Sequence, residues 1–441
     1  MEQTARYPRV LVVAANPFSR RSNNGLTMTS LFEGWPKDRL AQVFVPFVTP
    51  APPEFDVCSR YWALTPRGLK RVEETVPVEA LPGRPSKLRN FAVRLATESR
   101  LAPRIAQPLR EMVYSRPGLL DGPEMAEIEA FEPDLIFSTL GSLGQLRQVE
   151  RLSERLGVPV VPFFTDDWIT TEYRRAFGSG ILRRKLAESF RRIVDASPLR
   201  LAISPAMAEE YTKRYGGEFH AFCRCVDAGA FLATPRVGGG EWIEMVYAGQ
   251  LGFDRWKYLK KIGEALRELL DEGIRARLTV YTVPAHVDLY GAELTMDPVM
   301  RVAGYVESDR LPAVYDAADV LVHCESFDTS LADYTRFSLS TKVSEYMMAA
   351  RPLLGYGPAD VGSMRYIAES GAGAVISEDS PAHVKARLRE LMGDRARLNE
   401  WGRRAREHAL EHHEGTRQRE RFRDLLARAV QPRADRARAA S

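Results

Sequence analysis

Histidine and cysteine are scarce in this 441-residue chain, which has seven of the first and four of the second. The first histidine is His220, so no imidazole is available as a general base in the N-terminal half. The cysteines are Cys58, Cys223, Cys225 and Cys324, and Cys223 and Cys225 lack the C-x-x-C spacing of redox or zinc sites. They read as reduced, structural residues. Because no His, Cys, Asp or Glu residues recur at ligand spacing, no metal and no cofactor is expected. No apolar run is long enough to cross a membrane, and "RVLVVAANP" near the start is too short for a signal-peptide core, so the expected address is cytosolic. Neither half carries G-x-G-x-x-G after its first strand, which makes a nicotinamide-dependent oxidoreductase the least favoured class. With 62 basic against 58 acidic residues, the net charge of +4 does not call for nucleic acid.

Apolar strands alternating with helical patterns are plentiful. "RVLVVAAN" (9–16), the polar loop "PFSRRSNNG", the helix "LTMTSLFEGW" and the strand "AQVFVPFV" make a βαβ start in which strands are buried on both faces. "DLIFSTL", "VPVVPFFTD" and "LRLAIS" continue the series, and Ser204 with Pro205 marks the start of a helix. Between residues 50 and 130, "TPAPPEF" and "LPGRPS" interrupt the pattern, and Lys87 to Arg116 is a basic helical stretch; the segment reads as an insertion carrying helices. "ATPRVGGGE" marks a linker, and the pattern restarts at "EMVYAGQ" with a second set of strands through "DVLVHCE" and "PLLGYG". The expected fold is α/β, with two doubly wound domains facing a cleft. Residues 1–232 form the first domain with its insertion at about 50–130, 233–243 the linker, and 244–415 the second domain. Residues 416–441 form a C-terminal helix, returning to the first domain, and a tail.

"STKVSEYMMAARPLLGYGP" (340–358) contains the most informative local conflict. Val343, Met347 and Ala350 have helical spacing, yet Lys342 stands in the first turn, where the helix dipole is positive, and precedes Glu345 in the weaker order for a side-chain pair. A phosphate in front of the helix would reverse that sign, and Glu345, one turn further along the same face, suits a pair of sugar hydroxyls. The alternative is a surface Lys342–Glu345 pair worth about 0.2–0.5 kcal/mol. "YAGQLGFDRWKYL" (247–259) is a second anion candidate: a strand ends at Gly249, and Arg255 and Lys257 stand at a helix start. Its alternative is a strand-to-helix loop with two solvated cations.

"YAGQLGFDRWKYLKKIGEAL", "GYVESDRLPAVYDAADVLVHCESFD" and "STKVSEYMMAARPLLGYG" occur in the order and approximate spacing of GT-B glycosyltransferases, and most resemble the retaining family 4 type. The resemblance covers nearly all of the second half. It extends in the first half to the loop ending at Gly25, to "LAISPAMAEEYTKRYG" and to "HAFCRCVDAGAF". It implies transfer of a sugar from a UDP or GDP sugar to a hydroxyl acceptor, in glycan, polysaccharide or glycoconjugate synthesis, with retention and without a metal. By position, Glu345 resembles the family's ribose-binding glutamate, Arg255 falls where a lysine contacts the diphosphate, and Gly249 is the glycine beneath it. Two positions depart: Gln250 stands where the family has an arginine, and Phe337 where it has a glutamate for the donor sugar. Glu325 and Asp328 are the candidate substitutes.

The resemblance gives Arg255 and Lys342 catalytic roles, the two cations stabilising the departing diphosphate, and Glu325 joins them as a substitute where the family's glutamate is missing. Gly249, Gln250, Lys257, Asp328 and Glu345 complete the expected donor site. Asn24 and Gly25, in a flexible loop, and Asp166 and Asp167 of "FFTDDW" are the candidates on the acceptor side; Arg20 and Arg21 would greet an anionic acceptor. His412 and His413 beside Glu411 and Glu414 read as a solvated helix end. "KLRNFAVRLATESRLAPRIAQPLREMVYSR" and "ILRRKLAESFRRIV" mix cations with apolar residues, which fits either a solvated helix face or peripheral contact with the inner face of an anionic membrane carrying a lipid-linked acceptor. Two alternatives to a transferase remain: a catalytically silent GT-B protein that binds a nucleotide or glycan, favoured by Phe337 and Gln250, and a nucleotide-sugar epimerase.

Overall fold

Apolar runs without polar alternation become parallel strands covered on both faces. The computed structural model describes residues 7–20, 23–45, 52–74, 102–232 and 240–430. The chain divides into two units, residues 1–222 with 419–441, and residues 223–418.

The strands of the first unit are β1 (Val10–Ala14), β2 (Leu40–Phe44), β3 (Tyr61–Thr65), β4 (Gly68–Val72), β5 (Leu135–Ser138), β6 (Val160–Phe164), β7 (Leu201–Ala202) and β8 (His220–Ala221). They form one sheet in the order β4-β3-β2-β1-β5-β6-β7-β8, parallel except for the β3–β4 hairpin at its edge. Every residue of β1, β2, β3, β5 and β6 is buried. The helices are α1 (Asn23–Phe32), α2 (Ala102–Tyr114), α3 (Pro123–Phe131), α4 (Leu143–Leu156), α5 (Trp168–Thr171), α6 (Ser179–Ala196) and α7 (Pro205–Tyr215). Ser142 and Ser204 cap α4 and α7 by accepting from the amides of Gln145 and Met207.

The second unit has β9 (Ile243–Ala248), β10 (Ala276–Tyr281), β11 (Met300–Gly304), β12 (Val320–Cys324), β13 (Leu353–Tyr356) and β14 (Gly373–Ile376). All are parallel, in the order β11-β10-β9-β12-β13-β14. Counted from β9 this is the dinucleotide-fold order, and its direction reverses between β9 and β12, the point beyond whose strand carboxyl ends ligands bind in open sheets of this kind. Its helices are α8 (Arg255–Asp271), α9 (Pro284–Leu294), α10 (Leu311–Asp316), α11 (Thr329–Thr335), α12 (Thr341–Met348), α13 (Gly362–Glu369), α14 (Pro381–Gly393), α15 (Arg395–His412) and the start of α16 (Gly415–Ala429). Two apolar clusters cover the faces of the sheet, one with Leu259, Ile262, Leu266 and Leu269 of α8, the other with Val343, Tyr346 and Met347 of α12. From Arg419 onward α16 belongs to the first unit, where the Phe422 ring meets Phe32, Phe137 and Phe222 edge-on at 5.0 to 5.8 Å.

Three expectations need correction. The segment at 50–130 is not only helical: Tyr61–Val72 forms the β3–β4 hairpin, because "YWALT" is a β-rich run whose residues are all buried and "PRG" makes the turn. Residues 75–101 of that insertion, residues 233–239 of the linker, the tail from 431 and Arg21 lie outside the described residues. Asn23, Asn24 and Gly25 are not a flexible loop but the first turn of α1, and Gly25 packs so closely on the Pro17 carbonyl that a Cβ would lie 2.6 Å from it. His413 is not solvated. It is buried, with Nδ1 2.8 Å from Cys223 Sγ and Nε2 2.9 Å from Tyr366 Oη, and burial lowers its pKa to about 3.

Candidate functional site

The loop after β9 makes a tight, strained return. Phe253 and Asp254, neither of them glycine, have φ of 56° and 60°, and α8 begins at the next residue. That turn sends Arg255 back toward the end of β12. Its Nε donates to the Cys324 carbonyl at 3.0 Å, and Nη2 pairs with Glu325 Oε2 at 2.9 Å. The other Glu325 oxygen lies 2.9 Å from His323 Nε2. Burial raises the pKa of Glu325, but the Arg255 charge and the His323 hydrogen bond outweigh it and hold the group at about 2. Burial lowers Arg255, and Glu325 more than restores it, so that guanidinium is permanently charged. His323 is lowered by burial and is neutral.

Lys342 lies at the same reversal point. Its ammonium is 5.2 Å from the centre of the Tyr247 ring, and the side chain runs across the backbone of Gly249. A Cβ at position 249 would collide with Nζ and Cε of the lysine, so glycine is required for this approach. Burial, then repulsion from Arg255, lowers Lys342 to about 8 against the opposing pull of Glu325 and Glu345. The N-terminus of α12 has no side-chain cap. Two cations and free helix amides thus gather at the reversal point of the sheet, an arrangement that accepts a polyanion.

Glu345, one turn into α12, is mostly buried and takes a hydrogen-bonded ion pair from Arg224 Nη1 at 2.7 Å on Oε1 and a long contact from Tyr315 Oη at 3.4 Å on Oε2. Arg224 was not singled out by sequence reasoning. Its segment, "HAFCRCVD", belongs to the family resemblance, but nothing in its spacing points to Glu345, 121 positions away. Arg224 Nε is buried without a hydrogen-bond partner.

The structure therefore brings together Gly249, Arg255, Glu325, Lys342 and Glu345. Gln250 follows Gly249 with an exposed side chain, and its carbonyl accepts from Tyr247 Oη at 2.6 Å. Glu325 is a correction: with both oxygens engaged and its side chain 4% exposed, it holds Arg255 in place rather than facing a sugar. Asp328 is exposed and caps α11, its Oδ1 accepting from the Ser330 and Leu331 amides. Lys257 points away to a surface pair with Asp254 at 3.1 Å. Phe337 is 8% exposed, so its position packs into the fold. In the first unit, Asn24 Nδ2 donates to Thr165 Oγ1 at 3.1 Å, and that hydroxyl donates to Asp166 at 3.3 Å. Asp167 is committed to structure by Arg214 at 3.0 Å and by the Tyr211 hydroxyl at 2.9 Å. Among the described residues no cluster of three metal-ligating side chains occurs.

Comparison with known proteins bears on the fold. Residues 261–426 match the family described as "Glycosyl transferase-like". No curated protein sequence matches the chain. Among solved structures, Alr3699/HepE of Anabaena in complex with UDP is similar, with a TM-score of 0.60 at 12% identity over 95% of this chain and 99% of that one. The sucrose-phosphate synthase of Thermosynechococcus elongatus has a TM-score of 0.62 at 12% identity over 95% and 98%. WaaG, a glycosyltransferase involved in lipopolysaccharide biosynthesis, has a TM-score of 0.53 at 13% identity over 96% and 99%. At such identities the likeness speaks for architecture, and it agrees with the two parallel sheets: the chain has the GT-B fold of the glycosyltransferases.

Proposed function

We propose that this protein is a glycosyltransferase that takes its sugar from a nucleoside diphosphate sugar, with a UDP sugar the first choice and a GDP sugar the second. One observation carries the reading: the Lys342 ammonium, lying on the Gly249 backbone beside Arg255 at the β9/β12 reversal, has a lowered pKa that a bound diphosphate would raise again. The family match over residues 261–426 and the UDP and UDP-glucose complexes of HepE support it.

In this reading Arg255 and Lys342 stabilise the negative charge that builds on the leaving diphosphate, and the free amides of α12 add to the same field. Glu325 and His323 fix the guanidinium of Arg255 so that it need not reorganise as the bond breaks. Glu345, oriented by Arg224, takes the ribose hydroxyls. The reaction runs with retention and without a metal, because two fixed cations supply the charge and no protein base is required if the leaving phosphate accepts the acceptor's proton. The acceptor is a hydroxyl of a saccharide or a lipid-linked glycan.

The direct test is thermal unfolding with UDP, GDP and their sugars. A ligand at 100 times its Kd adds about 2.7 kcal/mol of stability. Stabilisation by a uridine or guanosine nucleotide is expected, lost in Lys342→Ala and Arg255→Ala; equal responses of wild type and both variants would remove these residues from the site. The buried Phe337 favours one second reading, a GT-B protein that binds a nucleotide sugar without turning it over. Slow release of nucleotide from the sugar donor in water supports the transferase, and none supports the binding protein.

A further inference from the structure

Helix α2 is set with its polar side inward. Glu111 is 2% exposed, accepting from the Gly144 amide of α4 at 2.6 Å and from Arg110 Nε at 2.9 Å. Gly144 fits so tightly under Tyr114 that a Cβ there would lie 2.7 Å from the tyrosine's own. This buried anchor fixes the rotation of the helix. It leaves Ile105, Leu109 and Met112, spaced along one helical face, at 50%, 53% and 59% exposure. Phe177 and Ile181, at 54% and 58%, extend the same surface, because the Phe177 amide donates to the Arg104 carbonyl at 3.0 Å and the Arg104 guanidinium lies 5.2 Å over the Phe177 ring.

Basic side chains surround these five apolar ones. Arg104, Arg174, Arg175, Arg183, Arg184 and Lys185 are exposed; no acidic residue is exposed within 104–112 or 174–185, and one turn on, the exposed Glu188 lies 3.7 Å from Arg184 Nε. Exposed apolar groups among predominantly basic side chains complement an anionic lipid bilayer: the apolar tips enter the acyl boundary and the long basic chains reach the phosphates.

We propose that the surface formed by α2 and the loop and first turns leading into α6 is a docking face for anionic phospholipid membranes. The inference rests on the first unit alone, independent of the donor site. It gives the enzyme a location at the surface where a lipid-linked acceptor is held.

The test is sedimentation of the full chain with vesicles of phosphatidylcholine alone and with added phosphatidylglycerol. Binding to the anionic vesicles is expected, weakened by raising the salt, with little binding to phosphatidylcholine. Replacing Arg183, Arg184 and Lys185 together by Ser should lower partitioning roughly a hundredfold, at about fivefold per basic residue. The triple change Ile105→Ser, Leu109→Ser, Met112→Ser should also release the protein, while its thermal unfolding and UDP binding stay at wild-type levels. Unchanged unfolding distinguishes lost docking from lost fold, and UDP binding reports separately on the donor site. Failure of the wild type to sediment, equal binding to neutral vesicles, variants that bind like wild type, or a patch-dependent dimer in the absence of lipid would each overturn the proposal.

Discussion

Raising the pH from 7 to 9 should weaken UDP binding about tenfold, and the loss should trace to one side chain. In the unliganded site Lys342 titrates at about 8, so it is about 90% protonated at pH 7 and about 10% at pH 9. Its neighbours do not change charge in that window: Glu325 is held at about 2, Arg255 is raised, His323 is lowered, and Tyr247 and Cys324 are raised by burial. A diphosphate against the ammonium returns it to the ordinary lysine range, so binding at high pH must take up a proton, and affinity falls as pH rises through the unliganded value. At pH 8.5 the uptake works out at about 0.7 proton. Calorimetry in two buffers of different ionisation enthalpy measures both quantities. Lys342→Met should bind more weakly at pH 7 and show neither the additional slope nor the uptake; titration of the uracil ring is common to both proteins and cancels. Equal pH slopes for wild type and variant, with no proton taken up, would refute the placement of Lys342 against the diphosphate.

Gly249→Ala should leave stability within about 1 kcal/mol, because only the flexible end of Lys342 has to move, yet weaken UDP about 10- to 100-fold through loss of a charge-assisted contact; urea unfolding and calorimetry separate the two effects. Arg224→Met frees Glu345 from its 2.7 Å partner, so the preference for UDP over 2′-deoxy-UDP should shrink toward unity, measured by competition; an unchanged ratio removes Arg224 from ribose recognition. His413 is neutral in the fold with a pKa lowered to about 3, so the unfolded chain binds the extra proton as pH falls, and stability present above the ordinary histidine value is lost below it. This group alone should make the protein about 2 kcal/mol less stable at pH 5 than at pH 7.5. His408, lowered to about 4, acts in the same direction. His413→Gln should reduce the loss by that amount in urea titrations at the two pH values.

Much of the fold was legible because each parallel strand is a nearly unbroken apolar run, such as "VLVVA" of β1 or "VLVHC" of β12, and Ser204-Pro205 announces a helix start by local chemistry. The β3–β4 hairpin was hidden by the prolines around it, which pointed to loop, whereas burial of "YWALT" decided the outcome. Burial of His413 was equally invisible: the partners that enclose it, Cys223 and Tyr366, are 190 and 47 residues away. At the site, the conflict of Lys342 with the helix dipole was readable from one turn of sequence. Its packing over Gly249 was not, because that contact joins the loop after β9 to the first turn of α12, brought side by side only by the strand order. The same limit hid Arg224 as the partner of Glu345. It also made Glu325 look like a group facing a sugar, when His323, two residues earlier on the same strand, and Arg255 take both its oxygens.

The account depends on a diphosphate lying between Lys342 and Arg255 at the ends of β9 and β12. A crystal structure of the protein soaked with a UDP sugar tests this most directly. The account predicts phosphate oxygens within hydrogen-bonding distance of Lys342 Nζ and the Arg255 guanidinium, above the backbone of Gly249. Phosphates bound elsewhere, with the Lys342 ammonium facing solvent, would contradict it.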